Sequence, residues 1–254
     1  MAVVLLHGNP ETPAVWAPLT AALVASGVDR ASIHAPQLPG FGCLAPDGFG
    51  ATRDEYVEWF TGVLESIVSV SGPVDLVLHD WGGGIGMRVV SLRPDLVRSW
   101  ACDVLGLFHP DYVWHDFAQI WQTPGAGEEY FEQVLATPLA ERIAGYEAIG
   151  IARPTADELA AASDAEMARC VLALYRSAAQ PAMATWGAEL GPAGSRPGLA
   201  LIAPHDPFVR GLDLAPQVAE SLGARAIVLD DQGHWWMLGD PEGSARQLME
   251  FWQS

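Results

Sequence analysis

The chain has 254 residues, half of them apolar and only 17% charged, with ten tryptophans, so there is ample apolar surface to offset chain entropy and a disordered segment is excluded. The length suits one large domain or a domain carrying an insertion. The 13 basic residues are all arginine and face 31 acidic ones; a net charge of −18 repels phosphate backbones and anionic membranes, so neither nucleic acid nor membrane is an expected partner.

Short apolar runs ending at Gly, Pro or Asp alternate with segments of helical period, the pattern of parallel strands joined by crossover helices. In chain order the pattern predicts a strand at 3–6, a helix at 14–26, a strand at 31–34 and a helix at 53–69. In that helix Tyr56, Phe60, Val63, Leu64 and Ile67 recur at steps of three and four, a single buried stripe. A strand at 74–78, a helix at 84–92 and a strand at 99–104 follow. From about 108 to 197 strand-like runs vanish, which predicts a helical insertion. Within it Thr155 with Glu158 and Ser163 with Glu166 have capping-box spacing, each predicting a helix start. The Gly- and Pro-rich stretch at 187–198 reads as the linker back to a strand at 199–203, a helix at 214–222, a strand at 226–229 and a helix at 242–251. The division expected is a core of 1–107 and 198–254 around a helical cap of 108–197.

Cys43, Cys102 and Cys170 are widely spaced and give neither a disulfide framework nor metal-ligand spacing, so no metal is expected and a reducing, cytoplasmic location is. The opening residues read as a strand, not a leader, and no stretch approaches the roughly 18 apolar residues needed to span a bilayer.

In an open parallel sheet ligands collect at the carboxyl ends of the strands. Three such ends carry chemistry: His7-Gly8-Asn9-Pro10 after the first strand, His79-Asp80-Trp81-Gly82-Gly83 after the third, and Gln232-Gly233-His234-Trp235 after the last. Asp80 falls on a strand-to-helix turn followed by glycines, a nucleophile-elbow arrangement with a carboxylate where serine is commoner. A carboxylate attacks saturated carbon without a deprotonating base, and the ester so formed must be cleaved by water. Cleavage needs a base, for which His234 is placed, and an acid to orient it. Asp206, after the fifth strand, completes the order nucleophile, acid, histidine, with Asp103, after the fourth, as the alternative.

The HGNP, HDWGG, PHDPFV and GHW segments together resemble the α/β-hydrolase superfamily, in the branch with an aspartate nucleophile, along essentially the whole chain. The resemblance implies an α/β-hydrolase fold, a mostly parallel sheet with an inserted helical cap. Its N-terminal part is shortened, because one strand stands before the HG loop where family members usually have two. Asn9 after HG and Leu78 two residues before the nucleophile are similar to haloalkane dehalogenases, and Trp81 is shared with epoxide hydrolases. In that comparison the side-chain N–H groups of Asn9 and Trp81 hold a departing halide, and their backbone N–H groups the oxyanion. Tyr175 matches one of the two cap tyrosines that epoxide hydrolases use. The other has no clear match, with Tyr112 and Tyr130 as geometric substitutes. Candidate pocket walls are Tyr175, Trp121, Phe117 and Trp235, with Trp114, Phe131 and Trp186 as further cap aromatics. The implied activity is hydrolytic dehalogenation of a small apolar haloalkane to an alcohol plus halide ion, without cofactor. The alternatives are epoxide hydrolysis to a diol and a small-molecule-binding protein without turnover.

Overall fold

The computed structural model describes residues 2–209 and 213–253. The first half alternates β1 (Val3–Leu6), α1 (Ala17–Ala25), β2 (Ile33–His34), α2 (Arg53–Ser71), β3 (Val74–Leu78), α3 (Trp81–Leu92) and β4 (Val97–Cys102). Then come α4 (Asp116–Gln122), α5 (Ala126–Ala136), α6 (Leu139–Ala148), α7 (Arg153–Ala162), α8 (Ala165–Ser177) and α9 (Ala182–Ala188), with no strand among the described residues there. The chain closes with β5 (Gly198–Ile202), α10 (Leu214–Ser221), β6 (Arg225–Val228), α11 (Trp236–Gly239) and α12 (Pro241–Gln253). None of the described helices is long and apolar enough to cross a membrane.

The six strands form one sheet in the order β2-β1-β3-β4-β5-β6, every neighbouring pair parallel. Successive side chains of a strand point to opposite faces, and the apolar strands here are covered on both. Val4 and Leu6 of β1 join Leu76 and Leu78 of β3 in one core with Tyr56, Phe60 and Leu64 of α2. Val3 and Leu5 point the other way, into a second core with Leu19 and Leu23 of α1 and Leu248 and Phe251 of α12. The α2 stripe is thus the buried one, with Val63 and Ile67 packed at its margin. A polar exception lies inside β3, where Asp75 is fully buried and held by Arg98 and the Ser99 hydroxyl of β4.

Two expected helix starts are displaced. Thr155 lies inside α7, whose first turn is set by Pro154, because proline tolerates that position at no hydrogen-bond cost. Ser163 ends α7, and Asp164 caps α8 by accepting from the Met167 N–H at 2.8 Å, being the stronger acceptor and one residue later. The capping box that forms is Thr52 with Glu55 at the start of α2. The stretch expected as a linker carries the end of α9 and a short 3-10 turn, Gly191–Ser195, before β5 begins at Gly198.

Pairing of β1 with β3 is in register, Leu6 opposite Leu78, so the turns that follow these strands emerge side by side. That adjacency brings the HGNP loop against the HDWGG turn.

Candidate active site

Asp80 sits between β3 and α3 with φ +48° and ψ −121°, a conformation that L side chains rarely adopt. The glycines around it are required sterically. A Cβ on Gly82 would run into the Leu6 carbonyl, and one on Gly8 would overlap the Asp80 carboxyl. Close approach fixes the next contact: the Asn9 backbone N–H donates to Asp80 Oδ1 at 2.7 Å. The other carboxylate oxygen faces a cavity of about 130 Å³ lined by Asp80, Asn9, His234, Tyr175, Trp121 and Phe208, among others. Phe117 and Trp235 border the same cavity, Phe117 being also part of the outer surface. Loss of water in this chamber pushes the Asp80 carboxyl up to about 6, against the opposing pull of His234 and His79.

His234, on the loop after β6, is buried, and its Nδ1 lies 2.8 Å from Asp206 Oδ2. Burial pulls its pKa down, but the Asp206 hydrogen bond and the charges of Asp206 and Asp80 together outweigh that, and the imidazole is raised above the ordinary histidine value. Asp206 is itself tied by the Phe208 N–H at 2.8 Å. Asp103 stands elsewhere: it receives the Asp80 backbone N–H at 3.1 Å and the Trp236 indole N–H at 2.8 Å, and is hydrogen-bonded to His79 Nδ1.

On the opposite wall the Asn9 side-chain N–H donates to the Tyr175 hydroxyl at 3.4 Å, and the Trp81 indole hydrogen-bonds the same oxygen. Burial, then the nearby Asp80 charge, push the Tyr175 hydroxyl well above its ordinary pKa, so it stays protonated. Tyr130 also lines the cavity, whereas Tyr112 borders only a small lobe beside Trp81 and Trp114. Trp186 is remote, stacked under the Arg53 and Arg88 guanidinium groups at 4.4 and 5.7 Å.

Sequence reasoning missed a second buried network. Glu11, two residues after the HGN segment, is completely buried and accepts from the Gly8 N–H at 3.0 Å and the Trp235 indole N–H at 2.6 Å. Its Oε1 lies 3.0 Å from His79 Nε2 and 3.9 Å from His234 Nε2. Burial disfavours both charges, but Glu11 and Asp103 together raise His79 well above its usual value, and His79 holds Glu11 down at about 2. An imidazolium clamped between two carboxylates therefore braces the Asn9 loop, through Glu11, to the Asp80 turn, through Asp103.

A family model described as the alpha/beta hydrolase family matches residues 3–247. The chain belongs to the alpha/beta hydrolase family. Within that family, a haloalkane dehalogenase of Psychrobacter cryohalolentis is 35% identical over 98 residues, 37% of this chain and 30% of its own length. A cis-3-alkyl-4-alkyloxetan-2-one decarboxylase of Shewanella oneidensis is 32% identical over 113 residues, 43% of this chain and 34% of that one. The matched segment thus spans about a third of the length of these curated relatives. A loop variant of a haloalkane dehalogenase from Bradyrhizobium elkanii superposes with a TM-score of 0.73 at 20% identity, covering 98% of this chain and 88% of that one. An E-2-(acetamidomethylene)succinate hydrolase does so with a TM-score of 0.73 at 16% identity, covering 100% and 91%. At such identities the likeness is one of fold.

Proposed function

We propose that this alpha/beta hydrolase is a hydrolytic dehalogenase that works through an alkyl ester on Asp80, with residues 108–197 as the cap over the reacting centre. The observation that carries the reading is the split role of the Asp80 carboxyl. One oxygen is held by the Asn9 backbone N–H and the other faces an apolar chamber. The free oxygen attacks the halogenated carbon in line with the departing halide. Asn9 Nδ2–H and the Trp81 indole N–H converge on the Tyr175 oxygen; in this reading the departing halide takes that oxygen's place, and the two N–H groups, with the Tyr175 O–H beside them, stabilise the charge that develops on it.

The ester is then cleaved at Asp80 Cγ. Esterification removes the Asp80 charge that helps to raise His234, and the neutral imidazole, oriented by Asp206, takes a proton from water as it attacks, while Oδ1, already bonded to the Asn9 N–H, becomes the oxyanion. Hydrolysis restores the carboxylate and releases the alcohol and a proton. The expected partners are a small apolar haloalkane and the halide ion, and three unpaired cysteines fit a reducing, cytoplasmic setting.

A second reading, epoxide hydrolysis, is favoured by the protonated Tyr175 hydroxyl, an O–H donor in the same cavity as Asp80. Removing the base tests both. His234→Gln should trap the ester, so mass spectrometry after exposure to a bromoalkane should find an alkyl adduct on the Asp80 peptide. An unmodified peptide beside wild-type turnover would refute the mechanism. Bromide release with no diol from epoxides supports dehalogenation; diol formation abolished by Tyr175→Phe would replace it with the second reading.

A further inference from the structure

The chamber beside Asp80 adjoins a second cavity. Trp121, Tyr130, Tyr146 and Pro10 line the chamber and also line this second cavity of about 90 Å³, so the two spaces share one wall of side chains. Beyond that neck the lining comes from α5 and α8 and is apolar: Phe131, Val134, Leu135, Met167 and Ala168. Its two polar members are already engaged. The Asp164 carboxylate accepts from the Met167 N–H at 2.8 Å, and the Ser163 hydroxyl donates to the Leu159 carbonyl at 3.1 Å. The Trp121 indole N–H, which has no hydrogen-bond partner among the described residues, stands in the wall shared with the chamber, and beyond it the lining is mainly apolar, so recognition in the annex rests chiefly on apolar burial.

On the other side of Asp80 the space ends almost at once. The lobe bordered by Trp81, Leu107, Tyr112 and Trp114 holds about 20 Å³, room for about one water. Stacking of Trp81 on Trp114, with ring centroids 5.8 Å apart, fills that side with rigid aromatic surface. Of the two spaces that adjoin the chamber, the annex is therefore the larger by far.

We propose that the annex between α5 and α8 is a tail subsite, so that the substrate is an unbranched molecule with the reacting carbon at one end and a single alkyl chain running past Tyr130 and Tyr146 toward Val134 and Met167. This rests on the dehalogenase reading for the reacting end, and on the cavity geometry alone for the tail. Each methylene moved from water into the annex should raise kcat/KM about three- to four-fold until the space is full. A halide on a carbon bearing two long arms should be a poor substrate, because the lobe beside Trp81 has no room for the second arm.

The test uses bromide release by the full chain over the series from 1-bromopropane to 1-bromooctane, with 5-bromononane as the two-armed compound. The expected result is a rise with length followed by a plateau, and at least ten-fold lower kcat/KM for 5-bromononane than for 1-bromononane. Val134→Trp and the milder Val134→Phe should flatten the length dependence while leaving 1-bromopropane within about two-fold. If these variants slow every length equally, the annex is only a passage to solvent and the proposal fails. It fails also if 5-bromononane matches its linear isomer. A binding measurement separates the two ideas: tryptophan fluorescence titrated with linear alcohols from butanol to octanol should show affinity rising three- to four-fold per methylene in the wild type and not in Val134→Trp. That trend without bromide release from any compound would refute dehalogenation and keep the tail subsite; bromide release with flat alcohol affinities would do the reverse.

Discussion

Glu11→Gln is the perturbation that probes the buried brace most directly, because it removes a charge and one acceptor while keeping the volume. In the wild type Oε2 takes the Gly8 N–H at 3.0 Å, and Oε1 serves both the Trp235 indole N–H at 2.6 Å and His79 Nε2 at 3.0 Å. An amide has one acceptor oxygen. Turned toward His79 and Trp235, it presents its NH2 to the Gly8 N–H; turned the other way, it faces two donors. The cheaper choice leaves one buried backbone donor unmet, at about 1–3 kcal/mol. His79 also loses one of its two carboxylates; removing one partner of a buried pair costs about 3–5 kcal/mol, less here because Asp103 remains. Together the loss should be about 3–5 kcal/mol, lowering Tm by roughly 6–20 °C in a chain of this size. The pH dependence has a definite sign. Glu11 is held at about 2 in the fold against an ordinary value of 4.5, so the stability it contributes is complete above about pH 4.5 and lost as pH falls toward 2. Thermal and urea unfolding of both proteins between pH 3 and 8 should show a gap that is widest near neutrality and narrows in acid. A gap under about 1 kcal/mol at pH 7, or one that widens on acidification, would refute the reasoning.

Asp206→Asn should cut turnover about 10³- to 10⁴-fold by misorienting His234, while Asp103→Asn, which touches the Asp80 turn and not His234, should act mainly on stability and on formation of the ester. Steady-state kinetics beside urea unfolding separates the two, and the opposite ranking would move the orienting role to Asp103. Ester formation needs ionised Asp80, so single-turnover bromide release should fall below about pH 6, where an ordinary carboxylate would hold to about pH 4. His234 pulls the Asp80 pKa down, so His234→Gln should shift that limb to higher pH; a limb that stays put or moves to lower pH would show that the two groups are not coupled as placed.

The sheet was legible because its strands are apolar runs bounded by turn residues. β1 and β3 run over the expected residues, and β4, β5 and β6 begin one or two residues before the expected starts. Boundaries governed by a single side chain were less so. Ser163 and Asp164 are adjacent and both can cap; which one does depends on where α7 releases the chain, and tertiary packing decides that. In the same way α3 begins at Trp81, earlier than its apolar period indicates, because its first turn is built from glycines confined by groups distant in sequence, Gly82 by the Leu6 carbonyl and Gly83 by the Val104 and Cys102 side chains.

The site divides along the same line. Asp80, Asn9, His234 and Asp206 each sit at a strand end, so a one-dimensional pattern places them and parallel pairing does the rest. Glu11 and His79 carry equal chemical weight and left no such signal, since a Glu after a Pro in a loop and a His before an Asp have many ordinary uses. Only the register of β1 against β3 brings them within 3.0 Å, and only complete burial turns that contact into an imidazolium held by two carboxylates. Tyr175 shows the same limit from the other side. The sequence offers it as a proton donor or as a pocket wall, and the fold sets its oxygen against the side-chain N–H groups of Asn9 and Trp81. In both proposed reactions, dehalogenation and epoxide opening, negative charge would develop near these donors, so one constellation supports either, and the choice falls to the substrate that the chamber and its annex admit.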